Sequence, residues 1–282
     1  MIAYIDWTVS PYLGPLRWYS LFFGIGFIAG YFMMKRIFTR ENADLEWLET
    51  LLMYMVIATI LGARLGHTLF YDWEYFSQHP LEIFLPVRFE PEFQFIGYQG
   101  LASHGGAIGI LIALWFFSRR VSKTPYLWIL DRIVIPVTFA GVCIRLGNLM
   151  NHEIIGKPTD VPWAFKFELV DEIPRHPVQL YESISYLLIF FFLYFLYWKT
   201  NRRNQLGYIF GWFMILLWSA RFIMEYFKDS QGGIEEYFNL GLSTGQLLSI
   251  PFVIIGVILL FYKKEFEASF PKPKRRPKIR KR

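Results

Sequence analysis

Four arginines of this chain stand in or beside stretches otherwise almost free of charge: Arg64, Arg132, Arg145 and Arg221. An arginine within an apolar span costs about 2.5–3.5 kcal/mol on insertion scales, so it normally faces a bundle interior or a watery cavity. The guanidinium is a planar fork of donors suited to bidentate phosphate contact. Arg145 and Asn148 are three residues apart, and Asn151 or His152 follows, so a helix sets them along one face. With Glu153 they crowd polar groups that need partners at one helix end. Arg221 and Glu225 are spaced to pair across one helical turn. His104, followed by Gly105 and Gly106, is the histidine inside an uncharged run, and the two glycines leave room for a ligand or a neighbouring helix. Plainer readings stand beside these: Arg64 snorkelling to an interface, a buried Arg221–Glu225 pair, and a structural His104.

The elements that must position these groups follow from where charge is missing. Of 282 residues, 54% are hydrophobic, 20% aromatic and only 18% charged, against about 25% charged in a soluble domain. Trp18–Met34, Gly97–Ser118, Ser183–Trp198, Gln205–Ala220 and Leu240–Tyr262 contain no Asp, Glu, Lys or Arg. Two more stretches, near Glu49–Phe70 and Tyr126–Met150, are as apolar but carry Arg64, Asp131, Arg132 and Arg145. Crossing a hydrocarbon core of about 30 Å takes roughly 20 mostly apolar residues. The pattern predicts an all-α, polytopic membrane protein of about seven transmembrane helices, forming a single membrane domain over 1–262. No cleavable signal peptide is expected, because the chain opens without a basic region and its first apolar run begins only after Pro11, Gly14 and Pro15. The lone Cys143 excludes an internal disulfide framework and a cysteine metal cluster.

Basic residues orient the spans. Lys35, Arg36 and Arg40, then Arg119, Arg120 and Lys123, then Lys199, Arg202 and Arg203, and finally the tail lie after alternate spans. The opposite side carries only Arg17, Arg88, Lys157, Lys166, Arg175 and Lys228. This places the N-terminus outside and the C-terminus in the cytoplasm. The tail, 263–282, holds ten basic and two acidic residues, and reads as a disordered segment on anionic lipid rather than a nucleic-acid binder. Outside loops are expected at about 71–97, rich in aromatic residues, and at 151–181, too long to be a simple turn. At 1.5 Å per residue, Arg64 lies about 22 Å, Arg145 about 28 Å and Arg221 about 24 Å along their helices from the inside, with Asn148 a turn beyond Arg145. His104 falls roughly 10 Å below the outer surface, with Tyr19 at the outer start of the first helix. Five helices thus bring polar groups to the outer third of the bilayer, the level of a phospholipid phosphate.

Blocks of this sequence resemble the prolipoprotein diacylglyceryl transferase family. They are Leu16-Arg17-Trp18-Tyr19, Gly62-Ala63-Arg64-Leu65-Gly66, Ser103-His104-Gly105-Gly106, the run Gly141–Glu153, Arg175–Glu182, and Arg221-Phe222-Ile223-Met224-Glu225. Their order holds from about Pro15 to Tyr262. The resemblance implies a seven-helix, multi-pass enzyme of the bacterial inner membrane. It would move the diacylglyceryl group of phosphatidylglycerol onto the lipobox cysteine thiol of a prolipoprotein, without metal or organic cofactor. It further implies that Arg145 and Arg221 hold phosphate and that His104 is the base. Supporting substrate contacts fall at Tyr19, Asn148, Asn151, Glu153, Gly156 and Glu225, and within the quoted blocks at Arg64, Ser103 and Gly105. Two departures are visible: His152 stands where the family often has Gly, and the loop after Gly156 is shorter than in some members.

On this reading the acceptor thiol comes from the substrate. A free thiol has a pKa near 8.5 and histidine one near 6.5, so His104 is suited to take its proton. Other classes fit less well. A retinal-type receptor needs a lysine within a span, and none of the runs contains one. His152-Glu153-Ile154-Ile155 is followed by Gly156, not the second histidine of a zinc protease motif. A non-catalytic phospholipid or anion transporter would use the same arginines, but no internal repeat is visible and the polar groups gather near one face, not the midplane.

Overall fold

A computed structural model describes residues 4–89, 92–95, 100–229, 242–267 and 270. Among these are eight helices: α1 (Trp18–Glu41), α2 (Glu46–Phe70), α3 (Trp73–Gln78), α4 (Ser103–Phe116), α5 (Tyr126–Met150), α6 (Val178–Lys199), α7 (Tyr208–Met224) and α8 (Thr244–Leu260). Five are long and apolar enough to cross a membrane: α1, α2, α5, α6, and α4 together with the π-turn that continues it to Ser122. α7 and α8, with 17 residues each, are shorter apolar helices. Polarity is inverted relative to a soluble protein. Ile25, Ile28 and Phe32 of α1, Ile184, Leu188, Phe191 and Phe195 of α6, and Ile254, Ile255 and Ile258 of α8 are exposed, while Asp131, Arg132, Gln179 and Glu182 are wholly buried. Apolar faces turned outward over polar groups held inside suit lipid as the solvent. The chain is a mostly helical, polytopic membrane protein.

Helix boundaries depart from the uncharged runs at one place that matters. α4 begins at Ser103, not Gly97. Gly100 turns the chain with φ +71°, and the Ala102 N–H is tied to the Ala63 carbonyl of α2 at 2.9 Å. His104 is therefore in the first turn of its helix, not some 10 Å into it.

The chain divides into two compact units, residues 1–37 with 130–269, and residues 38–129 with 270–282. In the first, α5 supplies a cap to another helix. Both carboxylate oxygens of Asp131 accept N–H bonds at the start of α7, from Gly207 (2.7 Å) and Phe210 (2.8 Å). Gly207, at φ +79°, makes the turn into α7 and offers no side chain of its own to cap it. Arg132 beside Asp131 donates to the Arg203 carbonyl at 3.1 Å. α7 and α8 meet at Gly211 and Gly256, where a Cβ on either would come within 2.9 Å of the other's carbonyl oxygen, the close approach that small residues allow. α8 starts with a reciprocal capping box between Ser243 and Gln246.

Outside the helices this unit holds a small sheet. β1 (Ile5–Trp7) pairs in parallel with β6 (Phe165–Phe167), Ile5 opposite Phe165, and β6 pairs antiparallel with β7 (Pro174–Arg175), Phe165 opposite Arg175. Phe165, Phe167 and Leu149 form its core, with Trp7 packed against them and donating from Nε1 to the Leu149 carbonyl at 3.1 Å. The expected 151–181 loop is thus a folded cap on the end of α5. β2 (Tyr12–Leu13) and β3 (Leu16–Arg17) form a hairpin leading into α1. The start of the tail is paired too: Leu206 N–H donates to the Lys264 carbonyl and Phe266 N–H to that of Asn204. The tail's last residues, 271–282, lie outside the described residues.

The second unit is built on α2 against α4. A Cβ on Gly66 would lie 2.6 Å from the Cα of Gly105, and one on Gly109 2.6 Å from the Ala58 carbonyl oxygen, so these helices pack backbone on backbone. Between them run α3, a 3₁₀ turn at Pro80–Ile83, and a hairpin of β4 (Val87–Arg88) and β5 (Gln94–Phe95). Trp73, Phe84, Phe93 and Phe95 are exposed here, in keeping with an interfacial position.

Candidate active site

In the first unit the chemistry gathers where α5 ends. Glu182, in the second turn of α6 and wholly buried, receives two cations: Arg145 Nε lies 2.8 Å from one oxygen and Lys228 Nζ 2.8 Å from the other. Arg145 also donates from NH1 to Asn148 Oδ1 at 3.0 Å, as the helical spacing requires. Asn148 passes the chain on, donating to Glu153 Oε1 at 2.7 Å, and Asn151 donates to the same oxygen at 3.3 Å. The Glu153 carbonyl is held by Gln179 at 2.7 Å. α5 and α6 are thereby cross-linked by side chains at one end, and Arg145 is fixed from two directions.

Gly147 leaves room for Tyr19, whose ring would lie 2.9 Å from a Cβ there; Tyr19 thus packs on the same end of α5. Gly156 donates to the His176 carbonyl at 3.1 Å, and the His176 and Val178 side chains fill the space where its own would be. Its carbonyl accepts from Arg175 at 3.3 Å. Arg175 itself is clamped on Asp171 (2.6 Å) and Asp229 (3.1 Å). The Arg175 hydrogen bond holds the Asp171 carboxyl below its usual range, while burial lowers the neighbouring imidazole of His176. His152 adopts φ +54° and hydrogen-bonds the Val9 carbonyl at 2.8 Å. This is a left-handed conformation, which glycine adopts most easily.

Arg221 and Glu225 share the end of α7 but use different partners. Glu225 lies 3.4 Å from Lys228 and accepts from Ser243 at 3.4 Å, with Gly245 packed directly against its carboxyl. Arg221 lies over the ring of Trp218 at 5.7 Å, and its Nε is buried with no hydrogen-bond partner among the described residues. The buried Asn151 Oδ1 is likewise without one. One end of this unit therefore holds the cations Arg145, Arg175, Arg221 and Lys228 and the carboxylates Glu153, Asp171, Glu182, Glu225 and Asp229, and among the described residues the Arg221 Nε has no acceptor.

Four of the expected site residues belong to the second unit. Ser103 and His104 are exposed in the first turn of α4. His104 stands against two aromatic rings, Phe70 at 5.3 Å and Tyr71 at 5.7 Å. Gly105 is buried in the seam with α2. Arg64 is buried and donates to the carbonyls of Ile83 (3.0 Å) and Glu82 (2.7 Å), with the Phe76 ring 4.7 Å away; it ties α2 to the loop that follows.

Sequence reasoning assigned no role to Glu182, Lys228 or Gln179, which complete the Arg145 network. The signal for Glu182 was present: an acidic residue abutting the uncharged run Ser183–Trp198 needs a cation. Lys228 was counted only as a loop charge, and nothing in its local sequence pairs it with a residue 46 positions earlier.

The class defined so far is a polytopic helical membrane protein carrying a buried arginine–carboxylate cluster at one end of its helices. The family model for prolipoprotein diacylglyceryl transferase matches residues 9–262, and the chain belongs to that family. It is 47% identical over 264 residues to a phosphatidylglycerol–prolipoprotein diacylglyceryl transferase of Chloroherpeton thalassium, covering 92% of this chain and 94% of that protein. The like-named protein of Tolumonas auensis is 45% identical (93% and 98% covered), and that of Bacteroides fragilis 41% (93% and 96%).

Proposed function

We propose that this protein is a transferase that moves the diacylglyceryl group of phosphatidylglycerol to the lipobox cysteine of a prolipoprotein signal peptide. Family membership supports the reaction class, and the observation that carries the site assignment is the pair of arginines: Arg145 rigidly held, Arg221 with a buried N–H that has no acceptor among the described residues. The chain crosses the bacterial inner membrane seven times, with α7 and α8 completing the five longer spans, its N-terminus outside and its C-terminus in the cytoplasm. The imbalance of lysine and arginine between the two sets of loops supports that orientation.

In the reaction His104 takes the thiol proton, and the sulfur forms a bond to the glyceryl carbon that bears the phosphate. The carbon–oxygen bond to phosphate breaks, giving a thioether and glycerol phosphate. Charge grows on the departing phosphate, and Arg145 and Arg221 stabilise it. Glu182 holds Arg145 in place through a bond it need not re-form during the reaction. Asn148, Asn151 and Glu153 keep the end of α5 in register, with Tyr19, Gly156 and Glu225 shaping its surroundings.

Incubating the purified protein with phosphatidylglycerol and a lipobox peptide, followed by mass spectrometry, tests this. A diacylglyceryl mass gain on the cysteine with equimolar glycerol phosphate is expected. Lipid binding without any adduct would favour the transporter reading instead.

A further inference from the structure

The opposite end of the first unit carries a second cluster that the reaction does not use. Arg36 lies 17 residues beyond Tyr19 on α1, and Trp198 lies 16 beyond Glu182 on α6; both are thus about 24–26 Å from the arginine network. There, Phe32, Met33, Ile135, Tyr194 and Trp198 line a cavity of about 200 Å³, with Arg36 at its polar edge. That exceeds the ~150 Å³ apolar cavity known to take up benzene. The Arg36 guanidinium sits over the Trp198 ring, 4.8 Å from its centroid. No carboxylate pairs with it among the described residues. A guanidinium stacked on an indole keeps its in-plane N–H groups available for a phosphate while its charge is partly satisfied by the ring.

The geometry assigns this cavity to an anionic phospholipid of the leaflet opposite the arginine network, the cytoplasmic leaflet in the orientation proposed above. One acyl chain lies between α1, α5 and α6 against Phe32 and Ile135, and its phosphate accepts from Arg36. Charge complementarity selects the occupant: an apolar slot alone would take any chain, but an exposed, carboxylate-free arginine at its edge favours a negative headgroup. Tyr194 and Trp198 sit at the depth where aromatic side chains anchor to headgroups. The lipid is a resident of the fold and not a substrate.

The full chain, reconstituted in phosphatidylcholine nanodiscs doped with phosphatidylserine brominated on its acyl chains, provides the test. The Trp198 signal is isolated by subtracting a Trp198→Phe variant. Brominated phosphatidylserine should quench it at about fivefold lower mole fraction than brominated phosphatidylcholine. Arg36→Gln should abolish that preference and Arg36→Lys should retain part of it, while free glycerol phosphate should not compete. Diacylglyceryl transfer by Arg36→Gln should stay within twofold of the parent, so loss of the lipid preference separates from loss of the reaction. Equal quenching by both lipids, or an unchanged preference in Arg36→Gln, would overturn the assignment.

Discussion

Two buried acid–arginine clusters share helix α5, about 20 Å apart, and they are built in opposite ways. At Asp131–Arg132 the paired charges, 3.9 Å apart, also serve backbone: Asp131 accepts two N–H bonds at the start of α7 and Arg132 donates to the Arg203 carbonyl. At Arg145–Glu182 charge is set against charge and amide, across α5, α6 and the segment after α7, and Arg221 nearby keeps a buried N–H with no partner among the described residues. In sequence both look alike, a charge interrupting an apolar run. The difference separates the two: side-chain partners with donor capacity left over are what the proposed site rests on. A charge whose partners are helix ends marks architecture.

Mutations sharpen this contrast. Asp131→Ala removes the cap of α7 and one partner of a wholly buried acid–arginine pair, so a stability loss of about 3–5 kcal/mol is expected; thermal unfolding in detergent reads it, and turnover per folded molecule should be unchanged. Glu182→Gln keeps the shape but frees Arg145 and Lys228. Transfer should fall about 100-fold through kcat, the scale of a misplaced catalytic group, and a purely architectural Glu182 would instead lower stability with kcat intact. In the second unit, Gly105→Ala forces a methyl group against the α2 backbone and should cost about 1–3 kcal/mol, again visible in thermal unfolding. The smallest effect is a pH effect in the sheet. The depressed Asp171 carboxyl stabilises above its unfolded pKa near 3.9 and ceases to do so as pH falls through its lower folded value. Hydrogen exchange at the Thr159 and Phe165 amides should therefore be slower in the parent than in Asp171→Asn at pH 6, with the difference gone near pH 2.

The spans were legible because lipid imposes a crude rule, and runs free of charge from Trp18 to Met34 or Ser183 to Trp198 lie within α1 and α6. The Arg145–Asn148 contact was legible because helical spacing alone determines it. What escaped depends on distant pairing. The sheet joins Ile5 to Phe165 across 160 residues, through strands of two or three residues with no alternation to read. For Arg64 the sequence leaves both snorkelling and phosphate contact open, because whether an arginine near a helix end meets water, lipid or two loop carbonyls depends on a fold of residues 71–89 that no local pattern announces. Lys228 shares this difficulty, because its partner Glu182 arrives only when α6 and the end of α7 are assembled.

The central claim is that the Arg145–Arg221 end carries the chemistry. It is tested most directly by diacylglyceryl transfer to a lipobox peptide by Arg145→Ala and Arg221→Ala, each normalised to folded protein. Losing one preorganised donor to a developing negative charge lowers turnover by about 10²–10³-fold, and both variants should fall at least that far with thermal stability largely kept. Near-normal turnover in both would contradict the account and return these arginines to the same architectural role as Arg132.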